Sequence, residues 1–268
     1  MDSTAIRDTA RAGLSDVAER LTALVGSLPN TTTPILPGTW TVREAAVHLA
    51  VASDLYAELA ARTPVPPLTT WTTVEQWNAE SAALIADIPE TDPHKLAVIM
   101  GDAVGRFLDV TGRRPADQPT VLFGLDFDVT RLVCVILGEW AVHGYDIAAA
   151  TGHPWPIDPG HAQLALYGYG SGLSPFVDPA TAAGHTAAYG IEIRGGDGFT
   201  ARFTDGAFTV EFAGSGPVDC VISADPVALV MVALGRISPL EAVALGLLSA
   251  GGDRPELALG FLDLFAIP

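Results

Sequence analysis

The stretch DVTRLVCVILGEWAVHGYDIAAATG, residues 128–152, constrains this chain more than any other. Read as a helix, its first half is apolar on every side, so other helices must surround it. Asp128 or Thr130 can cap its start, and Gly152 with Pro154 close behind ends it near 151. The same helix carries Glu139, His143 and Asp146. The fold must therefore bury this helix and also satisfy a carboxylate within it.

The segments before it supply the surrounding helices. Leu14, Val17, Leu21, Leu24 and Leu28 recur at alternating spacings of three and four, one face of a helix over about 4–28. Thr41-x-x-Glu44 is a capping box that starts a second helix, with Trp40 placed as the hydrophobic half of a staple. That helix runs to about 62, where TPVPP (63–67) ends it. A third helical region over 73–111 is broken by Pro89 and Pro93 into pieces near 73–88 and 93–111. Gly112 to Pro119 reads as a polar loop, and a further helix is expected near 159–172.

The texture changes after about 178, and the breaker-rich VDPATAAGH marks a domain boundary. IEIRG, FTARFTDG, AFTVEFAG and CVISA read as strands, and Phe208, Val210 and Phe212 alternate with polar residues. Asp205-Gly206 between two of these runs signals a two-residue hairpin turn of the I′ kind. DPVALVMVALGR (225–236) and DRPELALGFLDLF (253–265) read as helices, the first capped by Asp225 with Pro226 behind it. Residues 1–178 are thus expected to form an all-α bundle, and 185–268 a small α+β domain.

Composition sets the outer limits. With 49% hydrophobic and 17% charged residues, the 268-residue chain can bury a core and is not intrinsically disordered. A net charge of −17 argues against nucleic acid or an anionic membrane as partner. Cys134 and Cys220, far apart in apolar runs, form no disulfide framework and no zinc ribbon, which suits a reducing compartment. The N-terminus lacks an apolar signal region, and the apolar runs 132–137 and 227–235 are too short to span a bilayer. A cytoplasmic protein is expected.

The chemistry concentrates in the constraining helix. Glu139 and His143, four apart, share a face, and Asp146 lies three further on. His48 sits mid-helix among apolar residues in AAVHLAV. A buried, unpaired Glu139 would be costly, and a divalent metal would compensate it. His48, Glu139 and His143 make a His₂Glu set with an open coordination position, as in catalytic zinc sites, with Asp146 orienting a histidine from behind. Spacing alone equally allows a core histidine bonded to backbone, and a surface Glu–His ion pair. His94, His153, His161 and His185 lie at helix starts or in loops and read as structural. Ser171 lacks the preceding strand of a nucleophile elbow, GGDG (195–198) lacks the context of a phosphate loop, and Cys134 reads as an inert core thiol. Arg202 and Arg236 are candidates to meet an anionic ligand at the domain junction, against the plainer readings of a strand-face charge and a helix-terminal charge.

WTVREAAVHL (40–49) resembles the second-helix signature of the DinB-like, mycothiol-dependent maleylpyruvate isomerase family. GEWAVHGYDIAAATG (138–152) resembles its fourth-helix signature, with Glu139, His143 and Asp146 in register. The C-terminal strands with ADPVALVMVALGR (224–236) and SAGGDRPEL (249–257) resemble the sterol-carrier-protein-2-like domain that often follows. The resemblance spans nearly the whole chain.

It implies a four-helix bundle with a divalent metal, zinc or alternatively nickel, held at His48, Glu139 and His143. It further implies a low-molecular-weight thiol, mycothiol, acting as thiolate on a small electrophile. In the isomerase, addition to a conjugated diacid permits rotation about the former double bond before elimination. The resemblance leaves open which of Arg194, Arg202, Arg236 and Arg254 would meet a diacid. The expectation is a thiol-dependent isomerase or S-transferase, monomeric or homodimeric. Its rivals are a non-catalytic ligand-binding or metal-sensing module and a metal-assisted hydrolase.

Overall fold

A computed structural model describes residues 2–36, 38–65, 74–212 and 216–266. The sequence-predicted start of a helix at 73 and the end of the 207–214 run lie outside these residues. The chain divides into two compact units, Met1–Tyr169 and Gly170–Pro268.

Four helices of the first unit pack around one core: α1 (Ser3–Ser27), α2 (Val42–Ala61), α4 (Pro93–Gly112) and α5 (Val129–Thr151). α3 (Val74–Ala86) packs on α2, and α6 (Pro159–Ser171) runs into the division between the units. α1 buries Leu14, Val17 and Leu21 as its periodicity predicts, and Leu28, the residue after its last turn, is buried too; Leu24 is half-buried and Val25 is buried beside it. α4 starts at Pro93, where the sequence break places it, and Asp92 caps it by accepting from the Lys95 amide. The capping box of α2 is present: Glu44 Oε2 accepts from the Thr41 amide at 2.7 Å, and the Thr41 hydroxyl accepts from the Glu44 amide.

Helix α5 starts on an Asp128 cap and ends at Gly152, whose φ of 75° suits a residue without Cβ. Its residues from Leu132 to Gly138 are all buried, so the all-round apolar segment is the central helix. It is long and apolar enough to cross a membrane, but most of that stretch is buried inside the unit, as in the core helix of a globular domain.

A short antiparallel hairpin precedes α5, β1 (Pro119–Leu122) with β2 (Leu125–Asp128). Sequence reading treats its start as loop, since four-residue strands carry little alternation. The turn is made by Phe123 and Gly124, both at positive φ.

The second unit, among its described residues, holds a five-stranded sheet. Its strands are β3 (Ala187–Ile193), β4 (Phe199–Thr204), β5 (Ala207–Phe212), β6 (Cys220–Ala224) and β7 (Leu248–Gly251), in the order β5-β4-β3-β6-β7. β3 and β6 run parallel and the other pairs antiparallel. Asp205 and Gly206 form the expected two-residue turn, both at positive φ. Tyr189, Ile191, Phe203 and Ile222 build the core of this unit with Phe261, Leu264 and Phe265. Breaker-rich residues 177–185 pack here as well: Val177 bridges to Phe265, and Ala182 is buried in the same core.

Two predicted helices are corrected. The first, α7, spans only Pro226–Ala233, because Gly235 closes it with a paired motif in which the Arg236 amide donates to Met231 O. The second, 253–265, is two 3₁₀ stretches, Pro255–Gly260 and Leu262–Leu264, separated by Phe261. Phe261, Leu264 and Phe265 thereby reach the sheet core. Helix α8 (Pro239–Ala244) and strand β7 are short elements that sequence periodicity did not mark.

Thr41→Ala removes half the capping box and is expected to destabilise the helical unit by about 1 kcal/mol. A lower urea midpoint for loss of helical circular dichroism checks this; an unchanged midpoint contradicts it.

Candidate metal centre

Helices α2 and α5 are tied at depth by the Trp140 indole Nε1–H, which donates to Ser53 Oγ at 3.1 Å with both residues fully buried. The Ser53 hydroxyl in turn donates to Leu49 O on its own helix. This contact fixes the rotation of α2 against α5. It brings His48 on α2 to the Glu139 and His143 face of α5.

Glu139 is shared between two sets of partners. Its Oε2 lies 3.3 Å from His48 Nε2 and 3.5 Å from His143 Nε2. Its Oε1 accepts from the Tyr169 hydroxyl at 3.2 Å. Behind His143, Asp146 Oδ2 lies 3.1 Å from Nδ1, and Asp146 is buried. That bond sets Nδ1 as the protonated nitrogen and turns Nε2 toward Glu139. One ligand atom from each of His48, Glu139 and His143 lies within 4.8 Å of the others.

Trp40 covers the two imidazoles. Its ring centroid is 4.9 Å from that of His48 and 5.7 Å from that of His143. The two imidazoles meet edge to face at 5.2 Å. The loop before α2 holds Trp40 in place, the Ile35 amide donating to Trp40 O at 2.9 Å. The residue predicted as a helix staple thus lies over the site.

The electrostatics follow from burial and pairing. Burial alone would raise the Glu139 pKa, but hydrogen bonds and charge from His143 and His48 hold it far below the usual carboxylate range. Burial would lower His143, yet Asp146 and Glu139 raise it to about 9. Burial, aided by the His143 charge, lowers His48. Burial first and the Glu139 charge second push the Tyr56 phenol up. The cluster therefore compensates its carboxylate with an imidazolium proton, the charge that a divalent cation would replace.

The structure brings His48, Glu139, His143 and Asp146 together. Arg202 and Arg236 belong to the second unit: Arg202 on β4 opposite Thr209, Arg236 beyond α7 with Nη1 donating to Leu234 O. His153 pairs with Thr151, His185 with the Tyr189 hydroxyl, and the His161 ring fills the space beside Gly13. Among the described residues none of these enters a cluster of three metal-donor side chains. Cys134 and Cys220 are free and buried, and burial pushes both thiols up. Ser171 ends α6, with no strand leading into it.

Sequence reading missed Tyr169. The signal was present in glycines. A Cβ on Gly138 would stand 2.5 Å from the Tyr169 hydroxyl, and one on Gly168 would stand 2.8 Å from the Val135 amide nitrogen. The two glycines let α6 close onto α5 beside Glu139.

Residues 10–148 match the family model described as the mycothiol maleylpyruvate isomerase N-terminal domain. Residues 171–259 match the model of the C-terminal domain that accompanies it. Two crystal structures share the fold: a mycothiol-dependent maleylpyruvate isomerase and a histidine-to-alanine mutant of a protein so titled. The mutant is 15% identical with a TM-score of 0.55, and the other 16% identical with a TM-score of 0.52. Each alignment covers 94% of this chain and 93% of the other. No curated protein matches the sequence.

Ser53→Ala leaves the buried Trp140 Nε1–H without its acceptor and is expected to cost about 1–3 kcal/mol of stability. Denaturant unfolding checks this; wild-type stability would show that the α2–α5 tie is not needed.

Proposed function

The chain belongs to the mycothiol maleylpyruvate isomerase family, and on that premise we propose that it is a metal-dependent enzyme that uses a thiol. The thiol is mycothiol. The reaction is addition or transfer of that thiol to a small electrophile, or thiol-assisted isomerisation of one. The observation that carries this reading is the convergence of His48 Nε2, His143 Nε2 and Glu139 Oε2 within 4.8 Å, with Asp146 behind His143.

The donor set fits a divalent ion. Two imidazole nitrogens and one carboxylate oxygen are the ligands of catalytic zinc sites, and we assign zinc ahead of nickel. When bound there, the cation would stabilise a thiol as its nucleophilic thiolate. With an ion present, Asp146 would keep the proton of His143 on Nδ1 and leave its Nε2 lone pair for the ion, and the Ser53–Trp140 tie holds His48 in register. Trp40 shields the imidazoles on one side. Arg202 and Arg236 are our candidates for an anionic substrate group, since guanidinium pairs well with carboxylate. We place the protein in the cytoplasm, where two free buried cysteines are usual.

Asp146→Asn keeps the side-chain shape and removes the charge behind His143. Zinc affinity measured by chelator competition is expected to fall about 10–100-fold. For the reaction class, zinc-loaded protein is supplied with mycothiol and a panel of small electrophiles, including conjugated diacids. The expected result is turnover that requires both thiol and metal. Thiol-independent hydrolysis would favour the metal-assisted hydrolase, and metal binding without any turnover would favour a sensor.

A further inference from the structure

The two oxygens of Glu139 have separate jobs. Oε2 faces both histidine nitrogens, whereas Oε1 receives the Tyr169 hydroxyl. The phenol arrives there by construction. Gly138 immediately precedes Glu139 on α5, and any larger residue would collide with the Tyr169 ring and hydroxyl. Gly168 immediately precedes Tyr169 on α6, and a side chain there would collide with the α5 backbone at Cys134 and Val135. The two glycines thus permit the close approach that delivers this hydroxyl to this oxygen.

A carboxylate can bind a divalent cation through one oxygen or through both. Binding through both would fill a further position on the ion, at the expense of an incoming thiol. A hydrogen bond to Oε1 opposes the rotation that brings the second oxygen in. We infer that Tyr169 is a positioning residue that holds Glu139 to a single donor oxygen and so keeps a coordination position open for the thiol. This inference rests on the metal-and-thiol reading above and adds the residue that controls access to the ion.

The test uses the full chain loaded with Co(II), whose visible absorption weakens as coordination number rises. β-Mercaptoethanol serves as the thiol probe, read by the sulfur-to-cobalt charge-transfer band. Tyr169→Phe removes only the hydroxyl. It is expected to retain one cobalt per chain, lose visible intensity several-fold, and bind the thiol probe about tenfold more weakly. Gly138→Ala, which displaces the ring but keeps the hydroxyl, is expected to reproduce both changes. It carries the test if the phenylalanine variant does not fold. A merely structural role for Tyr169 would change the melting temperature and leave the spectrum and thiol titration as in the wild type, which overturns the inference while sparing the metal reading. Failure of the wild type itself to bind cobalt overturns both.

Discussion

A carboxylate on a buried helix is the constraint around which the helical unit is organised. Glu139 follows directly on the fully buried stretch of α5, where an unpaired charge would cost roughly several kcal/mol. The unit meets that cost with groups from three directions. His48 comes from α2, His143 from the next turn of α5, and Tyr169 from α6. Each depends on a separate packing device: the Ser53–Trp140 tie, the Asp146 bond, and the paired glycines at the α5–α6 crossing. Removing the central carboxylate would leave the two imidazoles facing one another without a shared acceptor.

These groups sit on helices, whose geometry is more rigid than that of loops, so the ligand atoms are held close before any ion arrives. Trp40 is the exception, and its loop is itself pinned by backbone bonds on both sides of Thr41. The start of α2 holds His48 and its cap, and the middle of α5 holds the glutamate, the second histidine and the aspartate.

Much of the helical unit was legible because its signals are local. The Thr41–Glu44 box, the Asp128 cap, the break at Pro93 and the leucine face of α1 each follow from spacing within one or two turns. Asp146 behind His143 is likewise an i, i+3 relation. The His48–Glu139 pair is different. It joins residues 91 apart in sequence, and no periodicity reports which helices meet or at what rotation. The residue types suggested the pairing and the family resemblance supported it, but spacing alone left a core histidine equally open. Tyr169 was missed for the same reason, since its role depends on a close crossing between two helices. In the second unit the β-branched strands and the Asp205-Gly206 turn were readable. β7 and the β1–β2 hairpin were too short to show alternation, and the run 253–265 looked helical, whereas its 3₁₀ stretches place Phe261, Leu264 and Phe265 in the sheet core.

The central claim is that His48, Glu139 and His143 form one metal centre. Elemental analysis of the purified protein beside His143→Ala tests it most directly. The account predicts about one divalent ion per wild-type chain and loss of that ion in the variant, with helical circular dichroism retained in both. Wild-type protein that remains metal-free after zinc and nickel are supplied would contradict it, leaving the imidazolium-paired carboxylate as a purely structural cluster.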